Sequence, residues 1–210
     1  MLTTRHKTAL NRVFEPPARW VARLGIGPSV VTVGGLALVV ASCLVLLVTR
    51  RIVSFCVLVT LASLLDALDG AVARVSGRVT KFGAYLDAVC DRVGEAVVII
   101  SVASVTGYWR LSAIVLAGAM LVSYTKARAA MEVPISNLEW PDLMERAERG
   151  AIYIVGLALS RFIPWRPLGR DLFSWTLVVL TALIYATVLQ RLLRARRLIE
   201  ARSAPPSRTR

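Results

Sequence analysis

Apolar runs of about twenty residues recur along this sequence, and each is roughly the length a helix needs to cross the hydrocarbon core of a bilayer, about 30 Å at 1.5 Å per residue. Six stand out, at 28–49, 52–75, 82–107, 110–131, 150–165 and 171–193. Composition agrees, since 56% of the 210 residues are hydrophobic and mean hydropathy is +0.64, more apolar side chain than one soluble core of this length needs. The expectation is an all-α integral membrane protein of six transmembrane helices. The fifth is the weakest span, because Arg161, Pro164 and Pro167 crowd its end.

A formal charge of +13 would point to nucleic acid in a soluble protein, but here its distribution is more telling than its size, and no nucleic-acid partner is expected. Five basic residues precede the first span. Arg74, Arg78, Lys81 and Arg92 surround the second turn, Lys126, Arg128, Arg146 and Arg149 the fourth, and seven more run from Arg191 onward. The opposite side receives only Arg50, Arg51, Arg110, Arg161, Arg166 and Arg170. The positive-inside rule then predicts a multi-pass cell-membrane protein with both termini and the aspartate-bearing turn in the cytoplasm.

Residues 1–27 read as a juxtamembrane helix lying on an anionic membrane face. Arg5, Lys7, Arg12, Arg19 and Arg23 alternate there with Leu10, Val13, Phe14, Trp20, Val21 and Leu24, and Pro16 and Pro17 are expected to interrupt or restart it. Met1 to Arg23 has neither an apolar core nor a small-residue cleavage site, so no signal peptide is expected. A six-helix domain follows over 28–195, then a basic tail over 196–210, expected to be disordered because it ends in polar residues and two consecutive prolines. No repeat and no second domain are read.

Ionisable groups inside a membrane are costly, which makes Asp66, Asp69, Asp87 and Asp91 functional candidates. Asp66 and Asp69 are three residues apart and Asp87 and Asp91 four apart, so each pair points from one helix face. A turn near Gly77 and Arg78 would fold the two helices into a hairpin with the pairs at the same depth. Four clustered carboxylates stay ionised only if cations neutralise them, and an oxygen-only set favours one or two hard divalent ions, magnesium or manganese. Such ions clamp phosphate oxygens. Gly70 and Gly83 remove bulk beside the carboxylates, and Arg74 supplies a fixed cation for a pyrophosphate. Charges solvated at helix ends, or a cation transporter, would also place carboxylates in spans, but neither requires Gly70, Arg74 and Gly83 at these spacings.

The run Asp66, Asp69, Gly70, Ala73, Arg74, then eight residues to Gly83, then Asp87 and Asp91, resembles the signature of CDP-alcohol phosphatidyltransferases at every fixed position. The resemblance extends over most of the chain. It implies a site for two metal ions on Asp66, Asp69, Asp87 and Asp91, with Asp91 also the general base on an acceptor hydroxyl. Attack on the β-phosphorus of a CDP-lipid, CDP-diacylglycerol or CDP-archaeol, would release CMP. It further implies that Pro28, Ser29, Thr32, Gly70, Ala73, Arg74, Thr80 and Gly83 bind the CDP-lipid, and that the protein is a homodimer.

For the acceptor, Ser123 to Ala129, the run Glu145, Arg146, Ala147, Glu148, Arg149, and Gln190 with Arg191 resemble stretches of phosphatidylinositol phosphate and archaetidylinositol phosphate synthases. The matching Lys126, Arg149 and Arg191 would bind the phosphate of inositol phosphate, a charge-assisted role that suits a phosphorylated polyol. Glycerol 3-phosphate is the second choice, then serine or free inositol. The chain departs from those enzymes at Ala130, where they usually carry glutamate, and in the longer, less glycine-rich connection from Val133 to Met144. Basic residues at cytoplasmic span ends are expected in any membrane protein, and the cluster Arg194, Arg196 and Arg197 reads as an anionic-lipid contact. Cys43, Cys56 and Cys90 read as small buried residues, His6 as irrelevant to chemistry, and Trp109, Trp165 and Trp175 as interfacial anchors.

Overall fold

A computed structural model describes residues 15–25, 27–135, 140 and 143–203, without the side chains of Asp66, Ala67 and Asp69. Helix is the sole regular structure among them: α1 (15–23), α2 (Pro28–Thr49), α3 (Ile52–Val75), α4 (Lys81–Thr106), α5 (Trp109–Glu132), α6 (Arg146–Leu159) and α7 (Leu172–Ser203), with a short 3₁₀ turn at Pro167–Gly169. Helices suit a bilayer because each satisfies its own backbone. The helices α2, α3, α5 and the Leu172–Arg202 part of α7 are long and apolar enough to cross a membrane. Large side chains such as Val48, Leu61 and Leu189 face outward from them, as lipid contact allows.

The chain forms two compact units that divide at Gly107 and Tyr108. In the first, α2 is the common support against which α3 and α4 pack. Pro28, with its φ preset, starts α2. The α3–α4 turn falls where the sequence places it. Gly77 takes φ +64, its N–H donates to the Arg74 carbonyl, and the Arg78 N–H donates to the Ala73 carbonyl at 3.1 Å, a Schellman closure that leaves no room for continuation. Ala18 and Val21 of α1 pack on Leu68, Ala71 and Val72 of α3, so the juxtamembrane helix leans on the segment that carries the signature. Residues 1–14, His6 included, lie outside the described chain. The three cysteines are buried.

In the second unit, α7 packs against both α5 and α6. A Cβ on Gly118 would come within 2.5 Å of Ile184 Cγ2, and one on Gly156 within 2.4 Å of Thr176 Cγ2, so glycine permits both close crossings. A Cβ on Gly34 of α2, by contrast, would meet nothing within 4 Å.

Two expectations need correction. The fifth stretch, expected over 150–165, is the 14-residue helix Arg146–Leu159, which starts earlier and stops at Ser160. Pro164 disfavours helix in the residue before it, and the amides of Arg161, Phe162 and Ile163 close the end by bonding back to Ala158 and Leu159. At about 21 Å α6 is shorter than a typical span. The basic tail, expected to be disordered from 196, is helical through Ser203, because Arg, Leu, Ala and Glu are good helix formers and Arg196 pairs with Glu200 at 2.7 Å one turn on. Residues 204–210 lie outside the described chain.

Candidate functional site

In the first unit, α3 carries Asp66, Asp69, Gly70, Ala73 and Arg74 in its last three turns, and the two aspartate side chains lie outside the described set. Arg74 is exposed and folds back beside Gly70, where an added Cβ would stand 3.5 Å from its Nη1. It also lines a small cavity with Glu15, Ala71 and Val75, on the side where α1 packs.

Thr80 holds the start of α4. Its Oγ1 accepts from the Gly83 N–H at 2.9 Å, and a Cβ at Gly83 would approach that oxygen to 3.0 Å. Both residues therefore have a capping task that fixes the helix on which Asp87 and Asp91 lie. Those two aspartates are half-buried and one turn apart. Arg92 and Glu95 join them, with Arg92 Nη2 3.9 Å from Asp91 Oδ2 and Nη1 3.2 Å from Glu95 Oε2. Sequence reasoning counted Arg92 only as a topological charge and missed Glu95, although the spacing of three is the ion-pair spacing of a helix. Among the described residues no group of three His, Cys, Asp or Glu side chains forms a metal-binding cluster. At the start of α2, Pro28 and Ser29 are half-buried, and Thr32 is buried with its hydroxyl donating to the Pro28 carbonyl at 3.2 Å.

The second unit holds the three basic candidates on three helices. Lys126 on α5 is half-buried, while Arg149 on α6 and Arg191 on α7 are 4% and 6% exposed. Arg191 Nη1 donates to the Val122 carbonyl, one turn before Lys126 on α5, so Arg191 and Lys126 meet the same stretch of that helix. A carbonyl satisfies a guanidinium N–H without cancelling its charge. Arg128, by contrast, pairs with Glu132 at 2.6 Å on the exposed side.

Residues 26–189 match the CDP-alcohol phosphatidyltransferase family. The chain belongs to that family. It is therefore a CDP-alcohol phosphatidyltransferase enzyme and a multi-pass membrane protein, which sets the cation-transporter alternative aside. It is 33% identical over 196 residues to the phosphatidylinositol phosphate synthase of Mycobacterium tuberculosis, covering 89% of this chain and 87% of that one. It is 30% identical over 156 residues to the archaetidylinositol phosphate synthase of Pyrococcus horikoshii, covering 73% and 81%. The crystal structure of the M. tuberculosis enzyme with CDP-DAG bound superposes with a TM-score of 0.76 at 31% identity, covering 95% of this chain and 98% of that one. A second, in complex with manganese and citrate, gives 0.77 at 30% identity and covers 94% and 92%.

Proposed function

We propose that this phosphatidyltransferase moves the phosphatidyl group of CDP-diacylglycerol onto a hydroxyl of myo-inositol phosphate, forming phosphatidylinositol phosphate and CMP. The observation that carries the reading is the basic trio of the second unit, two of whose members are arginines only 4% and 6% exposed. Phosphate is the anion that the planar guanidinium fork fits best, and packing holds both forks in place on their helices. Relatives named for inositol phosphate over nearly the whole chain support the same acceptor.

In this reading Lys126, Arg149 and Arg191 hold the acceptor phosphate. An acceptor hydroxyl oxygen attacks the β-phosphorus, the phosphoanhydride bond breaks, and CMP leaves with the bonding electrons. Asp91 takes the hydroxyl proton on a carboxylate oxygen. Arg74 faces the pyrophosphate, Gly70 and Ala73 leave it room, Thr80 and Gly83 fix the start of α4, and Pro28, Ser29 and Thr32 contact the nucleotide from α2. Asp66, Asp69, Asp87 and Asp91 would hold two magnesium or manganese ions, which when bound offset charge collecting on the phosphate oxygens. The described donors fit such ions, since Asp87 and Asp91 offer oxygen alone from one half-buried face of α4. A relative's structure containing manganese supports the choice of metal. The reading takes α4 and α6 as spans beside the other four, both termini and the active site as cytoplasmic, and the enzyme as a homodimer.

The test is product analysis. Purified enzyme in vesicles with CDP-diacylglycerol, magnesium and inositol 1-phosphate should yield phosphatidylinositol phosphate by mass spectrometry. Product only when glycerol 3-phosphate replaces the inositol phosphate would overturn the acceptor and keep the chemistry.

A further inference from the structure

The connection between α5 and α6 is tied to α7 at three described points, which occur in reverse order along the two segments. Arg202 donates to the Pro134 carbonyl. The Arg194 guanidinium stands over the Trp140 ring, 5.9 Å from its centroid. The Leu143 N–H donates to Gln190 Oε1 at 3.0 Å. Gln190, Arg194 and Arg202 stand at intervals of four and eight residues, a single stripe of the helix. The three described points are therefore met in antiparallel order along about 18 Å of α7, over the part expected to begin the disordered tail. Trp140 is 2% exposed and Arg194 half-buried, so the central contact is a partly desolvated cation–π pair.

One end of this strap, where Leu143 meets Gln190, adjoins the basic trio. Two residues after Leu143, Glu145 and Glu148 form a capping box, with the Glu145 N–H donating to Glu148 Oε2 at 2.9 Å, and this starts α6. Arg149 follows one turn into the helix, its N–H donating to the Glu145 carbonyl at 3.1 Å. On α7, Gln190 is the immediate neighbour of Arg191. We infer that the cytoplasmic extension of α7 is a clamp, and that Arg194 and Trp140 are positioning residues that set the acceptor pocket by fixing where α6 begins. The inference rests on the acceptor reading above. A loosened strap lets the first turn of α6 fray and Arg149 with it, which weakens acceptor binding, whereas the donor-binding and proton-accepting residues stand on other helices.

The experiment uses the full-length enzyme in neutral phosphatidylcholine vesicles, so that lipid charge contributes nothing through Arg194. CMP release is followed with magnesium and CDP-diacylglycerol while inositol 1-phosphate is varied. Arg194→Ala and Trp140→Ala should each raise KM for inositol phosphate about tenfold, or about 1.4 kcal/mol. The double variant should cost less than the sum of the two single ones, because both remove the same Arg194–Trp140 contact. Both kcat and KM for CDP-diacylglycerol should stay within about twofold, and Arg194→Lys should recover part of the loss, since an ammonium keeps the cation–π attraction. An active wild type with an unmoved inositol phosphate KM, with additive losses, or with kcat and both KM values shifting together overturns the clamp alone. A wild type that releases no CMP with inositol phosphate overturns the acceptor reading, and the clamp falls with it.

Discussion

Replacing Arg191 with glutamine separates the binding role of the second unit from its architecture. The wild-type side chain is 6% exposed and joins α7 to the Val122 carbonyl of α5, so it has a structural bond as well as a charge. Loss of this bond, whose donor is charged, costs stability of about 1.5–3 kcal/mol. Loss of a charge-assisted contact to a phosphate costs binding of about 2–3 kcal/mol, which at about 1.4 kcal/mol per decade is a rise of roughly 30- to 150-fold in KM for inositol phosphate. The proposed donor site uses other residues, so KM for CDP-diacylglycerol should hold. The assay is CMP release with each substrate varied in turn, alongside thermal unfolding in detergent. Arg191→Lys should fall between, because it keeps the charge and loses the fork. A variant that melts earlier but binds inositol phosphate normally would show that Arg191 is only a tie between two helices.

Three further outcomes follow from the same account. Asp91→Asn should lower turnover by roughly 10²- to 10⁴-fold while CDP-diacylglycerol binding, measured by calorimetry, is largely kept; a binding loss equal to that of Asp66→Asn would make Asp91 chiefly a metal ligand. Treatment with EDTA should abolish CMP release and magnesium or manganese should restore it, whereas full activity in the chelator would contradict the carboxylate site. Gly156→Ala, whose new Cβ would meet Thr176 Cγ2 at 2.4 Å, should destabilise the second unit by about 1–3 kcal/mol, and an unchanged melting curve would mean that α6 and α7 separate at little cost.

The helices were legible because apolar length is a local property, and the α3–α4 turn because Gly77 and the polar residues around it interrupt that length. The signature was legible because its residues lie within 26 consecutive positions of the sequence, from Asp66 to Asp91. What the sequence concealed depends on partners distant along the chain. The stretch 194–203 reads as a solvated basic tail until Pro134 and Trp140 are seen against Arg202 and Arg194, and no local pattern pairs residues so far apart. For α6 the error was one of boundary. The apolar residues after Gly150 suggested a span, while the capping box at Glu145 and Glu148 and the helix-disfavouring Pro164 set a shorter helix. Thr80 and Gly83 were read for what they offer a nucleotide, yet their mutual contact at the head of α4 gives them a capping task that spacing alone did not reveal.

The central claim is that the second unit recognises a phosphate on the acceptor. Its most direct test is CMP release by the wild-type enzyme with CDP-diacylglycerol and magnesium, comparing inositol 1-phosphate with free inositol at equal concentrations. The account predicts rapid release with the phosphorylated acceptor and little above background with inositol, because inositol lacks the phosphate that Lys126, Arg149 and Arg191 are proposed to hold. Equal release with both would contradict it.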